Sequence, residues 1–141
     1  MAELNTALEQ IQAAMRKYTS GIQSIPDYAP EDNKAFPFLV TFPGTGQAEW
    51  RSISERHDTH NIVMQLHVAR KNLAYDIESA VRYVEAIPAA MKTAEAAGEL
   101  GAIENFSVMT YEFGPMAWAS EEANTVGFTW IISGVLITHA Y

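Results

Sequence analysis

The sequence predicts an α+β domain, an antiparallel or mixed β-sheet of about four to five strands with helices packed on one face. Three observations predict it. Leu4, Leu8, Ile11 and Met15 fall at helical spacing, one apolar stripe of an amphipathic helix. Leu73, Ile77, Ala80, Val84, Ile87 and Met91 repeat at spacings of 4-3-4-3-4, the strongest helical signal in the chain. Between these stripes, Ile62, Met64, Leu66 and Val68 alternate with mostly polar neighbours, the two-residue period of a half-buried strand. At 141 residues the chain fits a single domain, 1–141, large enough for a core without disulfide or metal staples.

The elements follow in order. The first helix spans 3–18, where Arg16 and Lys17 suit the helix dipole and Thr19-Ser20-Gly21 stops it. Ile25 to Lys34 reads as a polar loop punctuated by Pro26 and Pro30. A strand over 36–42 follows; Pro37 places it at an edge or at a strand start. Pro43-Gly44-Thr45-Gly46 reads as a turn. A second strand covers 49–56 and a third 60–70, with His57-Asp58-Thr59 as the hairpin tip between them. Asn72 can cap a helix over 72–97. Pro88 predicts a kink there, or two consecutive helices with the proline in the first turn of the second. Gly98 ends the element. Strands over 105–113 and 125–138 close the chain, and Gly134 predicts a bulge that shifts the alternation to Val135 and Ile137.

Charge and composition exclude several functions. Nine Lys and Arg against 17 Asp and Glu leave a net charge of -8. That balance argues against a nucleic-acid-binding domain, which needs a basic face to neutralise phosphates. With 48% hydrophobic residues the chain is not disordered. It has no cysteine, which removes disulfides, thiol catalysis and Cys-based zinc sites. No secretory signal opens it, and no apolar run reaches the ~20 residues of a membrane helix, so a soluble protein made in the cytoplasm is expected. Lys92 is the last basic residue; Glu95, Glu99, Glu104, Glu112, Glu121 and Glu122 follow it. Such an end repels phosphate and other acidic surfaces, or is simply a solvated face.

Catalytic and metal chemistry find little footing. His57-Asp58-Thr59-His60 is the only cluster of potential metal ligands in the sequence, but on a hairpin tip the two rings diverge and further ligands are missing. No serine sits in a Gly-x-Ser-x-Gly elbow, and Gly44-Thr45-Gly46 is too short to cradle a phosphate. The expectation is no enzyme, no cofactor and no metal. The aromatic residues are more informative. Tyr28, Phe36, Trp50 and Trp118 lie in or beside loops containing Pro or Gly, and Tyr141 stands at the end. Each is explained by packing over the sheet, yet together they have the make-up of interface anchors.

Four segments carry a resemblance. They are Ile25 to Pro30 (IPDYAP), Phe36 to Gly46 (FPFLVTFPGTG), Leu66 to Leu73 (LHVARKNL) and Tyr111 to Trp118 (YEFGPMAW). The chain from about Gln23 to Thr138 resembles the tail-terminator (tail-completion) proteins of long-tailed bacteriophages, the siphophages. The resemblance implies a virion structural protein forming a homohexameric ring. Such a ring caps the head-proximal end of the tail tube, ends its polymerisation and takes part in head–tail joining at the neck. Its implied partners are further copies of itself, the tail-tube protein and the head-completion proteins, and genomic DNA passes through without specific binding. The implied location is the virion, after assembly in the host cytoplasm. Glu104, Glu112, Glu121 and Glu122 are candidates for an acidic lumen, and Tyr28, Phe36, Trp50, Trp118 and Tyr141 for subunit or partner contacts. A head-completion or stopper neck protein, a tail-tube-like subunit, and a small ligand-binding or enzymatic α+β domain remain as alternatives.

Overall fold

The computed structural model describes residues 3–27, 37–69, 73–116 and 125–141. In chain order the elements are α1 (Leu4–Tyr18), β1 (Phe38–Ser52), β2 (Glu55–Ala69), α2 (Leu73–Val81), α3 (Tyr83–Ala96), β3 (Val108–Met116) and β4 (Thr125–Ala140). The four strands form one antiparallel sheet in the order β1-β2-β4-β3. This is the α+β architecture expected from the sequence.

One sheet face carries the core. Ile62, Met64 and Leu66 of β2 lie opposite Ile132, Trp130 and Phe128 of β4, and all six are buried. Leu8, Ile11 and Met15 of α1, with Ile87, Ala90 and Met91 of α3, pack into the same cluster. Of the stripe residues, Leu8, Ile11, Met15, Ala80, Ile87 and Met91 are buried, Leu4 and Val84 are partly buried, and Ile77 is 39% exposed. Gln12 is the polar exception in α1. Its Nε2 donates to the Leu39 carbonyl at 3.0 Å and the Pro26 carbonyl at 2.8 Å, and its Oε1 accepts from the Thr41 hydroxyl at 2.6 Å. Buried and fully bonded, it ties the helix to the edge of the sheet.

The expected hairpin tip at His57-Asp58-Thr59 is wrong. Those residues lie inside β2, and the chain turns at Ile53-Ser54. The strand expected over 36–42 and the first part of the one expected over 49–56 join as one strand, β1, which ends at Ser52; Glu55 and Arg56 already belong to β2, and Phe36 lies outside the described residues. The turn expected at Pro43 to Gly46 is instead a β-bulge, since Pro43 pairs with Ile62 and Gly46 with His60. Pro43 is tolerated because β1 is the edge strand, whose outer side among the described residues carries only the isolated bridge between Ser24 and Phe38. The glycines serve close approach: a Cβ would stand 2.8 Å from the Asn61 carbonyl oxygen at Gly44 and 2.8 Å from His60 Nδ1 at Gly46.

The long helix divides at Arg82, a turn and a half before Pro88, which lies inside α3. The carbonyl left without a proline N–H partner is that of Val84, inside α3, so the break precedes it by two residues and Pro88 lies beyond the first turn of the second helix. The expected cap at Asn72 lies outside the described residues. α3 ends in a Schellman arrangement, Gly98 N–H to Glu95 O and Glu99 N–H to Ala94 O, with Gly98 at φ 74°. The strand expected at 105–113 starts later, at Val108, preceded by an isolated bridge between Asn105 and Leu136. β4 runs to Ala140 and bulges as expected: His60 pairs with Val135 and Ile62 with Ile132. Val135 and Ile137 thereby return to the core face.

Candidate functional site

The registers place a distinct cluster at the far end of the sheet. β1 is buried from Phe38 to Thr41 and exposed from Pro43 to Ser52. Beyond the bulge, Trp50 sits opposite Arg56, and Arg56 opposite His139. Arg56, Asp58 and His60 share the strand parity of Ile62 and so continue the helix-bearing face.

Arg56 is the hub. Its Nε donates to Asp58 Oδ1 at 2.8 Å and its Nη2 to Oδ2 at 3.0 Å, a bidentate pair. Its guanidinium carbon lies 5.6 Å from the Trp50 ring centre and 5.9 Å from that of Tyr141, within cation–π range. The two rings stand 5.6 Å apart. Tyr141 is held further by its N–H to the Ser54 carbonyl at 2.7 Å. Asp58 also has His139 Nε2 at 3.3 Å and His60 Nε2 at 3.9 Å. Burial pushes the His60 imidazole below its usual range, Asp58 pulls it back up, and His139 and Arg56 push it down again. The charges are thus turned inward on one carboxylate while apolar surface is turned outward. Trp50 is 58% exposed, Tyr141 60% and Ile53, at the turn, 99%. Trp50, Arg51, Ser52 and Ile53 line a shallow concavity of about 550 Å³.

The two aromatic rings and the guanidinium thus stack loosely on one another at this end, with more than half of each aromatic side chain exposed. Of the five anchors expected from the sequence, the fold brings Trp50 and Tyr141 together; Tyr28, Phe36 and Trp118 lie outside the described residues. Arg56, Asp58 and His139 were not among the expected site residues. Their signal was the alternation of Arg56, Asp58 and His60, hidden by reading a turn through it.

The expected acidic set is placed only in part. Glu104 and Glu112 are exposed along the β3 edge, but seven residue steps of β4 separate their partners Leu136 and Thr129. At ~3.3 Å per residue that is roughly 23 Å, so the two do not form one cluster. Glu121 and Glu122 lie outside the described residues. His57 and His60 point to opposite faces of β2, and His57 pairs with Glu55 at 2.9 Å. Among the described residues no group of three or more His, Cys, Asp or Glu is arranged to hold a metal, and no helix is long and apolar enough to cross a membrane. Comparison with models of known families and with curated proteins gives no match.

Proposed function

We propose that the protein is a structural subunit of a phage tail, a terminator that assembles into a six-membered ring on the tail tube and joins it to the neck. The observation that carries this reading is the pre-organised aromatic end of the sheet, in which Arg56 fixes Trp50 and Tyr141 with their rings exposed. A surface of this kind suits permanent contact with a protein neighbour. The four sequence segments that resemble those of tail terminators point the same way. The acidic final third suits a passage that DNA crosses without sticking.

Particle mass and tube binding test the reading together. Six chains of 15.6 kDa should give a ring that scatters light as a hexamer and appears six-fold in negative stain, free or on the ends of isolated tail tubes. A protein that stays monomeric and leaves tube ends bare overturns it.

A further inference from the structure

The outer edge of β1 is covered at one end and open at the other. At Leu39 the chain covers it: the Leu39 N–H donates to the Ser24 carbonyl at 2.9 Å, and the Leu39 carbonyl accepts from Gln12 Nε2 at 3.0 Å. Leu39 therefore turns its backbone groups away from β2, and its pair with Leu66 is one without mutual hydrogen bonds. Such pairs recur at every second residue of β2, at Met64, Ile62, His60, Asp58 and Arg56. Beyond the bulge the last three stand opposite Gly46, Ala48 and Trp50. Gly46, Ala48 and Trp50 thus send their N–H and C=O groups outward. Among the described residues no backbone group outside the sheet bonds to them, and β1 is exposed throughout from Pro43 to Ser52.

Proteins blunt such edges with Lys, Pro, a bulge or a covering loop. Here the irregularities at Pro43/Gly46 and Trp50/Ser52 bound the open run, and no Lys or Pro lies between them. There is room beside it for a neighbouring strand. On the helix-bearing face Gly46 and Ala48 are small, and the exposed Trp50 ring walls one end. On the opposite face Thr45, Gly46, Gln47, Thr59 and Asn61 line a hollow of about 380 Å³. No charged side chain lines it. Glu49 is next along that face, with its side chain 57% exposed and its nearest cation among the described ion pairs, Arg51, at 3.7 Å. That is beyond hydrogen-bond distance, so the carboxylate can still take a second cation.

We propose that this edge takes up an extended segment of another polypeptide, about five residues long and antiparallel to β1, as an added strand. Its backbone exchanges hydrogen bonds with Gly46, Ala48 and Trp50. Its side chains fall alternately on the two faces. Those beside Ala48 and Trp50 meet a methyl and an indole and are apolar. On the other face a small hydroxyl or amide beside Gln47 meets the polar hollow, and a Lys or Arg beside Glu49 pairs with its carboxylate. The net charge of -8 favours a basic segment further. The proposal stands on the edge itself and is independent of the ring reading.

A blocked Val-Lys-Val-Thr-Val peptide, titrated into the isotope-labelled full chain and followed by NMR, tests it. The amides of Gly46, Ala48 and Trp50 should shift saturably. Methylating the valine nitrogens, which face β1, should weaken binding by about tenfold or more. Ala48→Pro removes one outward N–H and no bond to β2, and should weaken binding likewise. Glu in place of the peptide lysine should cost about threefold, and Glu49→Lys should reverse that preference. Thermal melts check that both variants fold, and the methylated peptide needs no variant at all. No saturable shift, shifts centred away from this edge, or a methylated peptide that binds as well overturns the proposal. So does broadening of the same amides with protein concentration alone, the mark of a second copy on the edge.

Discussion

Acid should unfold this protein through His67. The side chain is fully buried on β2. It stacks on Phe38 with ring centres 4.5 Å apart and planes 1° from parallel, and its Nε2 donates to Gln65 Oε1 at 2.9 Å. Burial lowers its pKa from 6.5 to about 4. Between those values the unfolded chain binds a proton that the folded chain refuses. Stability is therefore intact above pH 6.5, declines as the pH falls and has lost the full contribution below about pH 4. At 1.36 kcal/mol per pH unit, the gap is worth about 3 kcal/mol at most. Urea unfolding at intervals from pH 7.5 to 4 measures it, with His67→Gln as the reference that cannot titrate. Wild type should lose about 3 kcal/mol more than the variant across that range, and the His67 ring protons should titrate near pH 4 by NMR. Parallel stability curves, or a His67 that titrates near 6.5, would refute the argument.

Two further predictions concern the scaffold. Gln12→Leu keeps the volume of the buried side chain but strands the Thr41 hydroxyl and the Leu39 carbonyl. It should cost about 2–3 kcal/mol in denaturant unfolding; a neutral result would mean these groups find other partners. Gly134→Ala places a methyl 2.4 Å from Ser107 Oγ at a φ of 69°. It should cost about 1–3 kcal/mol and speed amide exchange at Ser107, whose N–H bonds the Ser133 carbonyl across the bulge.

Much of the core was legible because its periodicities were undisturbed. The α1 stripe and the alternation from Ile62 to Val68 each named the face they bury. Gly134 announced its bulge because a glycine inside an apolar strand weakens the ladder unless the backbone needs it, and here φ is 69°. The hairpin was misread for an equally physical reason. Pro43-Gly44-Thr45-Gly46 has the composition of a turn, yet its glycines answer to the closeness of Asn61 and His60 on the next strand. The true turn, Ile53-Ser54, holds neither glycine nor proline. The candidate site was half legible. Trp50 and Tyr141 stand out as aromatic residues outside any stripe, but their meeting across β2 depends on the register of three strands. The Arg56–Asp58–His139 cluster joins residues some 80 positions apart, which no local pattern reports.

The central claim is that this chain ends tail growth, and tail length reads that directly. On the proposed reading the gene belongs to a phage, and disrupting it there and imaging the lysate by negative stain should show tails of irregular excess length beside unjoined heads. Supplying the protein from a plasmid should restore a single length and whole particles. Tails of normal length on joined heads in the absence of the protein would contradict the account.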